Sequence, residues 1–113
     1  MKGLIVKGKW ADLILSGEKT LELRGSNTKI RGKIGIIKSG TKRIYGTVEL
    51  VGSVRLGEED FERLKEEHKV ECKFSEIPYS HLYGWVLKNN EKFEEPVRYN
   101  HKTGCVIWVN IEE

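Results

Sequence analysis

Apolar and polar residues follow one another along this chain in short segments, and their spacing predicts a mixture of helices and strands. Trp10, Leu13 and Ile14 recur at intervals of three and four residues, which places them on one face of a helix. Gly17 follows, and glycine commonly ends a helix because it adopts a positive φ without steric cost. Leu21 to Arg24 is then predicted to return as a strand.

The remaining elements are predicted from apolar segments bounded by glycine and polar turns. The predicted strands are Leu4 to Val6, Lys33 to Lys38, Arg43 to Arg55, Tyr83 to Lys88, the region of Phe93, and Cys105 to Ile111. Ser39 to Lys42 predicts a hairpin turn, and Lys73 to Leu82 an irregular segment or short helical turn. Glu58 to Lys69 predicts a second helix, because acidic residues at its start favour the positive end of the helix dipole.

The strand after Gly17 carries charge where a packed strand should be apolar. Side chains alternate along a strand, so Leu21 and Leu23 face the core while Thr20, Glu22 and Arg24 face the other side. Lys19 lies at the turn, from which its long stem can reach the same side. These groups could hydrogen-bond a planar polar ligand, and replacing Glu22 or Arg24 by Gln should then cost little stability. The alternative is a solvated strand face with an ordinary ion pair.

The same residues resemble a known family. Gly17, Lys19, Glu22 and Arg24 reproduce the GxKxxExR signature of ASCH domains, and the preceding WADLIL is similar to the helix before that signature in the transcription-coactivator type. The likeness continues through RIYGTVELVG, WVLKN and IWV. The resemblance implies an α+β fold: a small PUA-like β-barrel of five to six mostly antiparallel strands, with two to three helices around it. It also implies a cleft for RNA, DNA or a nucleobase, lined by Lys19, Thr20, Glu22 and Arg24.

Length and composition bound the kind of protein further. The chain has 113 residues, which is typical of one domain, and we expect that domain to span residues 1–113. Its first residues hold too short an apolar run for a signal peptide, and no segment approaches the ~20 apolar residues of a membrane span. Cys72 and Cys105 form no CxxC pair. We therefore expect a cytoplasmic monomer with no membrane partner, cofactor or metal.

The charge of the chain is unevenly distributed, although its net value is only +3. No acidic residue lies between Leu23 and Val48, whereas Glu58 to Glu67 contains six. A basic side steers polyanions toward a protein. We therefore predict that the basic hairpin region contacts phosphates of RNA or another nucleic acid; its residues are Lys29, Arg31, Lys33, Lys38, Lys42 and Arg43. Alternatively, these cations only solubilise a strand edge.

Aromatic and histidine side chains supply further candidates. The loop from Arg98 to Gly104 carries Tyr99 and His101, which could lie over a base or sugar; it could equally be an ordinary hairpin loop. His68 follows the apolar stripe of the second predicted helix, where a histidine is either a ligand or a partly buried side chain with one hydrogen bond. Trp10 and Trp108 are assigned to the core, because they lie on an inward helix face and in an apolar strand.

Enzymatic alternatives follow from the same resemblance. Some similar proteins are amidohydrolases of 4-acetylcytidine, a modified nucleoside, in which the signature lysine pairs with a threonine nucleophile. Here Glu22 fills the threonine position and Thr20 lies two residues earlier, so the catalytic set would be Lys19, Thr20 and Glu22. A metal-dependent ribonuclease would need several converging carboxylates, and only Glu22 is placed in the candidate site. Binding without catalysis is our prediction, and these two activities are the alternatives.

Substitutions in the basic hairpin region test the phosphate prediction. Changing three of its six cations to Gln should weaken RNA binding equally for all sequences and flatten the dependence of affinity on salt, because each phosphate contact adds to that slope. Stability should change little, since the side chains are expected to be exposed. The measurement is RNA affinity over a salt series, and an unchanged slope would show that these residues are only surface.

Overall fold

The computed structural model describes residues 1–112, and within them lie six strands, three α-helices and one 3₁₀ turn. Their bounds are β1 Lys2–Val6, α1 Gly8–Ser16, β2 Leu21–Arg24, β3 Gly32–Lys38, β4 Arg43–Leu56, α2 Glu58–Arg63, α3 Lys65–His68, the 3₁₀ turn Phe74–Glu76, β5 Leu82–Arg98 and β6 Trp108–Asn110. Gly17 ends α1 in the left-handed conformation. The mixed α+β class and the numbers of strands and helices confirm the sequence prediction.

The six strands form one sheet in the order β2-β5-β4-β3-β1-β6. Only β1 and β3 are parallel, with Leu4 opposite Ile36; all the other pairs are antiparallel, as predicted. Helix α1 packs on one face of the sheet, where Ile14 joins a core that includes Leu50 and Trp85. A second apolar cluster contains Ile37, Ile44, Val109 and Ile111. Alternating side chains of β1 and β3 supply these two clusters, which lie on opposite faces.

The sheet is not closed into a barrel, so this part of the predicted fold is wrong. Strand β2 pairs only with β5 and β6 only with β1, and the two edge strands have four and three residues. Because β6 is so short, the carbonyl of Ile5 on the neighbouring strand β1 lies beyond the end of the β1–β6 ladder. The guanidinium of Arg24 donates a hydrogen bond to this carbonyl at 3.0 Å. Trp85 on β5 stacks on Trp108 of β6 at 5.6 Å. Side-chain contacts thus connect the two ends of the sheet, which are not joined by a ladder of backbone hydrogen bonds.

Three element boundaries also differ from the prediction. The helix expected from Glu58 to Lys69 is divided at Leu64 into α2 and α3. The strands expected near Tyr83 and Phe93 form one long strand, β5, because bulges keep it paired with β4 and Asn89 adopts φ 52° at one of them. The last strand is shorter than predicted, since only Trp108–Asn110 pairs with β1.

The glycines inside β4 lie at irregularities in its pairing with β5. The register shifts between Ile44 and Gly46 and again between Leu50 and Gly52. At Gly46 a Cβ atom would overlap the carbonyl oxygen of Glu91, so only glycine allows β5 to approach this closely. Among the residues described, none of the helices is long and apolar enough to span a membrane.

Candidate functional site

A cleft of about 320 Å³ lies between the edge strand β2 and the end of β1. Strand β2 contributes one wall, while the end of β1 and the start of α1 contribute another. The segment before β5 also reaches the cleft through Tyr79, whose ring lies against Gly25, immediately after β2. The polar and aromatic side chains that line it include Lys7, Trp10, Lys19, Glu22, Arg24 and Tyr79.

A buried network of three charges lies along the cleft. The side chains of Lys19, Glu22 and Arg24 are 1%, 6% and 18% exposed. Arg24 places Nη2 2.8 Å and Nε 3.0 Å from Oε2 of Glu22. Lys19 Nζ is 3.7 Å from the other carboxylate oxygen, Oε1, which is too long for a hydrogen bond. The alternation of β2 places Glu22 and Arg24 on this side, because Leu21 and Leu23 pack around Phe61. Lys19 precedes the strand and reaches Glu22 from the turn after α1.

Lys19 is held by groups outside its own strand. Its ammonium donates to the backbone carbonyl of His68 at 2.5 Å and lies 4.6 Å from the centre of the Trp10 ring. Burial lowers the pKa of Lys19, and the charge of Arg24 lowers it further, whereas Glu22 opposes the shift. Two carbonyls of helix α3 therefore hold the start of the site. The carbonyl of His68 accepts a hydrogen bond from the ammonium of Lys19, and the carbonyl of Glu67 accepts the backbone N–H of Thr20.

His68 is fully buried, with 0% exposure. Its Nδ1 accepts the N–H of Val70 at 2.9 Å, so Nε2 carries the proton and donates to the carbonyl of Phe61 at 2.8 Å. The ring also stacks on Phe61 at 4.6 Å. Burial lowers the pKa of His68, and the charge of Lys19 adds to this, although the Phe61 carbonyl opposes it. Both nitrogens are occupied, which favours the structural alternative for this histidine over the ligand alternative.

Three other sequence candidates lie away from the charge network. Thr20 is exposed and borders a separate cavity of about 260 Å³ on the side of Asn90. Tyr99 packs on the cluster around Ile111, across the sheet from α1, and its hydroxyl is 2.8 Å from Nδ1 of His101. The structure therefore brings together Lys19, Glu22 and Arg24, and it leaves the other three elsewhere.

The cations of the basic hairpin region are divided between the two ends of β3. Lys33 and Lys38 are five residues apart, or about 17 Å along a strand, and face opposite sides. Lys38 pairs with Asp12 at 2.7 Å, and Arg31 donates to the carbonyls of Thr28 and Ile30. Lys29, Lys33 and Lys42 are exposed.

Sequence reasoning missed three residues of the cleft. Trp10 was assigned to the core, and it is only partly buried there, with Lys19 on its ring. Tyr79 lay in a segment without periodicity, and Lys7 precedes α1. The only sequence feature that could have indicated these cleft residues was the tryptophan of WADLIL, in the helix that precedes a charged strand. Among residues 1–112 no group of three His, Cys, Asp or Glu side chains is arranged to hold a metal ion.

Comparison with known proteins identifies the family of this chain. A family model described as the ASCH domain matches residues 4–97. The chain belongs to the ASCH domain family. Three similar solved structures are ASCH from Zymomonas mobilis and two point mutants of that protein, each with a TM-score of 0.70 and 17% identity. They cover 86% of this chain and 72% to 74% of the other, and at this identity they show the fold alone. Among curated proteins no sequence matches.

The burial of the network changes the stability expected of site variants of this ASCH domain. Glu22→Gln leaves two cations in the cleft wall without their counter-charge, and Arg24→Gln removes the bridge to Ile5. We expect each to lower the free energy of unfolding by about 3–5 kcal/mol in denaturant melts, rather than the small loss predicted from the strand pattern. Arg63→Gln, which removes an exposed pair with Asp60, is the matched control and should change little. Equal small losses in all three variants would contradict the structural role.

His68 should make the stability of the ASCH domain depend on pH. Its pKa in the folded protein lies below the ordinary value of 6.5, so between these values the unfolded chain binds more protons. The free energy of unfolding should therefore fall as pH drops from 6.5 toward the folded pKa. Urea melts of His68→Gln should show a weaker fall than wild type, whereas His81→Gln, at an exposed histidine, should keep it. Identical pH profiles for all three proteins would refute this account.

Proposed function

We propose that this ASCH domain binds RNA, another nucleic acid or a modified nucleoside by taking a base into the cleft. The observation that carries the proposal is the network of Lys19, Glu22 and Arg24, buried on one wall of a cleft that also contains Trp10. Hydrogen-bonding groups held in a largely buried wall can discriminate between ligands, because an unmatched polar group there costs free energy.

Aromatic side chains of the cleft support a ligand with a flat ring. Trp10 lines the cleft next to Lys19, and Tyr79 lines it near Gly25, beyond Arg24. Bases stack on such rings without regard to sequence, while their edges remain free for hydrogen bonds. Aromatic rings therefore lie near both ends of the charge network. A single base that has left its own stack could stack on one of them while its edge faces the network.

Phosphates of the same ligand have cations available outside the cleft wall. Lys7 lines the cleft and Lys9 lies 4.8 Å from the Trp10 ring, so both are close to the proposed base. We propose that exposed members of the basic hairpin region extend this contact, namely Lys29, Lys33 and Lys42. Lys38 and Arg31 contribute less, because Asp12 and loop carbonyls already occupy them.

The amidohydrolase alternative has less support from the geometry. A hydroxyl nucleophile must be within hydrogen-bond reach of its base. The ammonium of Lys19 instead donates to the His68 carbonyl, and Thr20 is exposed beside another cavity. Amide hydrolysis is nevertheless worth measuring, because Lys19 also lines the cavity beside Thr20.

Substitution of Trp10 tests the proposal without removing a buried charge. Trp10→Ala should weaken binding of short single-stranded RNA by about tenfold or more, because stacking contributes roughly 1–3 kcal/mol per base, and Trp10→Phe should keep most of the affinity. Calorimetric titration measures both, with denaturant melts to verify folding. Tyr99→Ala is the control on the other face of the sheet.

Three results would count against the proposal. Full affinity in Trp10→Ala would place the ligand outside this cleft, and a larger loss in Tyr99→Ala would move it to the opposite face. Release of acetate from 4-acetylcytidine by the wild-type protein, lost in Thr20→Ala, would favour the hydrolase instead.

A further inference from the structure

We infer that the cleft selects a base with an imide edge, in which an N–H lies between two carbonyl groups, as in uracil. This inference rests on the proposed function, because it identifies which base the same cleft accepts. It is drawn from the hydrogen-bonding capacity that Lys19, Glu22 and Arg24 retain after their contacts with the protein are counted.

Each member of the network has such capacity left. The ammonium of Lys19 has three protons, and the carbonyl of His68 takes one of them. Arg24 uses Nε and Nη2 for Glu22 and Ile5, whereas Nη1 has no partner among the described residues. Oε2 of Glu22 accepts from Arg24, while Oε1 lies 3.7 Å from Lys19 and accepts no hydrogen bond within the part of the chain that the structure describes.

The order of these groups makes a specific pattern. The carboxylate of Glu22 lies between the two cations, with one oxygen toward Lys19 and the other toward Arg24. The wall therefore offers a donor, an acceptor and a second donor. The complementary edge presents an acceptor, a donor and a second acceptor. In uracil the two carbonyl oxygens would accept from Lys19 and Arg24, and the N3–H between them would donate to Glu22.

The other common bases match this pattern less well. Cytosine and adenine present an unprotonated ring nitrogen and an amino group, so an acceptor would face Glu22 and a donor would face a cation. Guanine satisfies Glu22 and one cation, but its amino group would oppose the other cation. All three bonds to uracil involve an ionised protein group and are therefore stronger than neutral ones. A mismatch leaves hydrogen-bonding sites of these largely buried groups unmatched, which makes rejection strong.

The pattern can be tested with the wild-type protein and matched ligands. Calorimetry would compare short single strands of uridine, cytidine, guanosine and 3-methyluridine, at one length and salt concentration. We expect the uridine strand to bind tightest and the cytidine strand about tenfold or more weaker. The 3-methyluridine strand, which keeps both carbonyls and its stacking surface but lacks the N3–H, should lose affinity to a similar extent.

A second measurement addresses Glu22 itself. The side-chain amide of Glu22→Gln can turn either its oxygen or its NH₂ group toward the ligand, so the variant should reduce the preference for uridine over cytidine to about threefold or less. If Glu22→Gln does not fold, the ligand series on wild type still decides. Equal affinity for uridine and 3-methyluridine would overturn the inference and leave the binding proposal standing. Absence of binding to every strand would overturn both.

Discussion

The carboxylate of Glu22, buried between Lys19 and Arg24, is the interaction on which both the architecture and the cleft depend. Each cation reaches from it to a backbone carbonyl elsewhere in the fold: Arg24 to Ile5 on β1, and Lys19 to His68 at the end of α3. The network thus connects β2 with β1, to which no backbone bond pairs it, and adds to the backbone bond between Thr20 and α3. Removing the carboxylate would leave two cations to repel each other in a low-dielectric wall, which is costly.

The open edge of the sheet and the site have one physical origin. A closed barrel would pair the backbone of β2 with that of the opposite edge, and no cleft would exist between them. Because β2 and β6 are so short, the edges are joined by one guanidinium and by stacked tryptophans, Trp85 and Trp108. Side-chain contacts leave space that a hydrogen-bonded ladder would fill. The cleft is therefore the part of the barrel that the chain does not close.

Local patterns predicted the parts of the structure that local forces determine. The alternation in β2 correctly separates Leu21 and Leu23 from Glu22 and Arg24, and Gly17 ends α1 as expected. Burial of the charges was not predictable, because it depends on partners 19 and 49 residues away in sequence, Ile5 and His68.

The same limit explains the other errors made from the sequence. The helical periodicity of α1 shows that Trp10 faces inward, but it does not show that this inward face ends at a cleft. A run of cations predicts a basic region, but the alternation of β3 sends Lys33 and Lys38 to opposite sides. Whether the last strand, β6, is long enough to pair with β2 and close the barrel depends on how many of its residues form strand pairs. No local sequence pattern predicts that number.

The network also explains how a cleft built largely from side chains can be ready for a ligand. Long cationic side chains ordinarily lose conformational entropy when they bind, which weakens affinity. Here the carbonyls of Ile5 and His68 already hold the guanidinium and the ammonium in place, so that ordering occurs during folding. The cost appears in the folded protein instead, as burial that lowers the pKa of Lys19. A ligand that brings acceptors to both cations would relieve part of this cost. The free energy that burial of these cations costs the free protein would then be partly recovered when the ligand binds, which raises affinity.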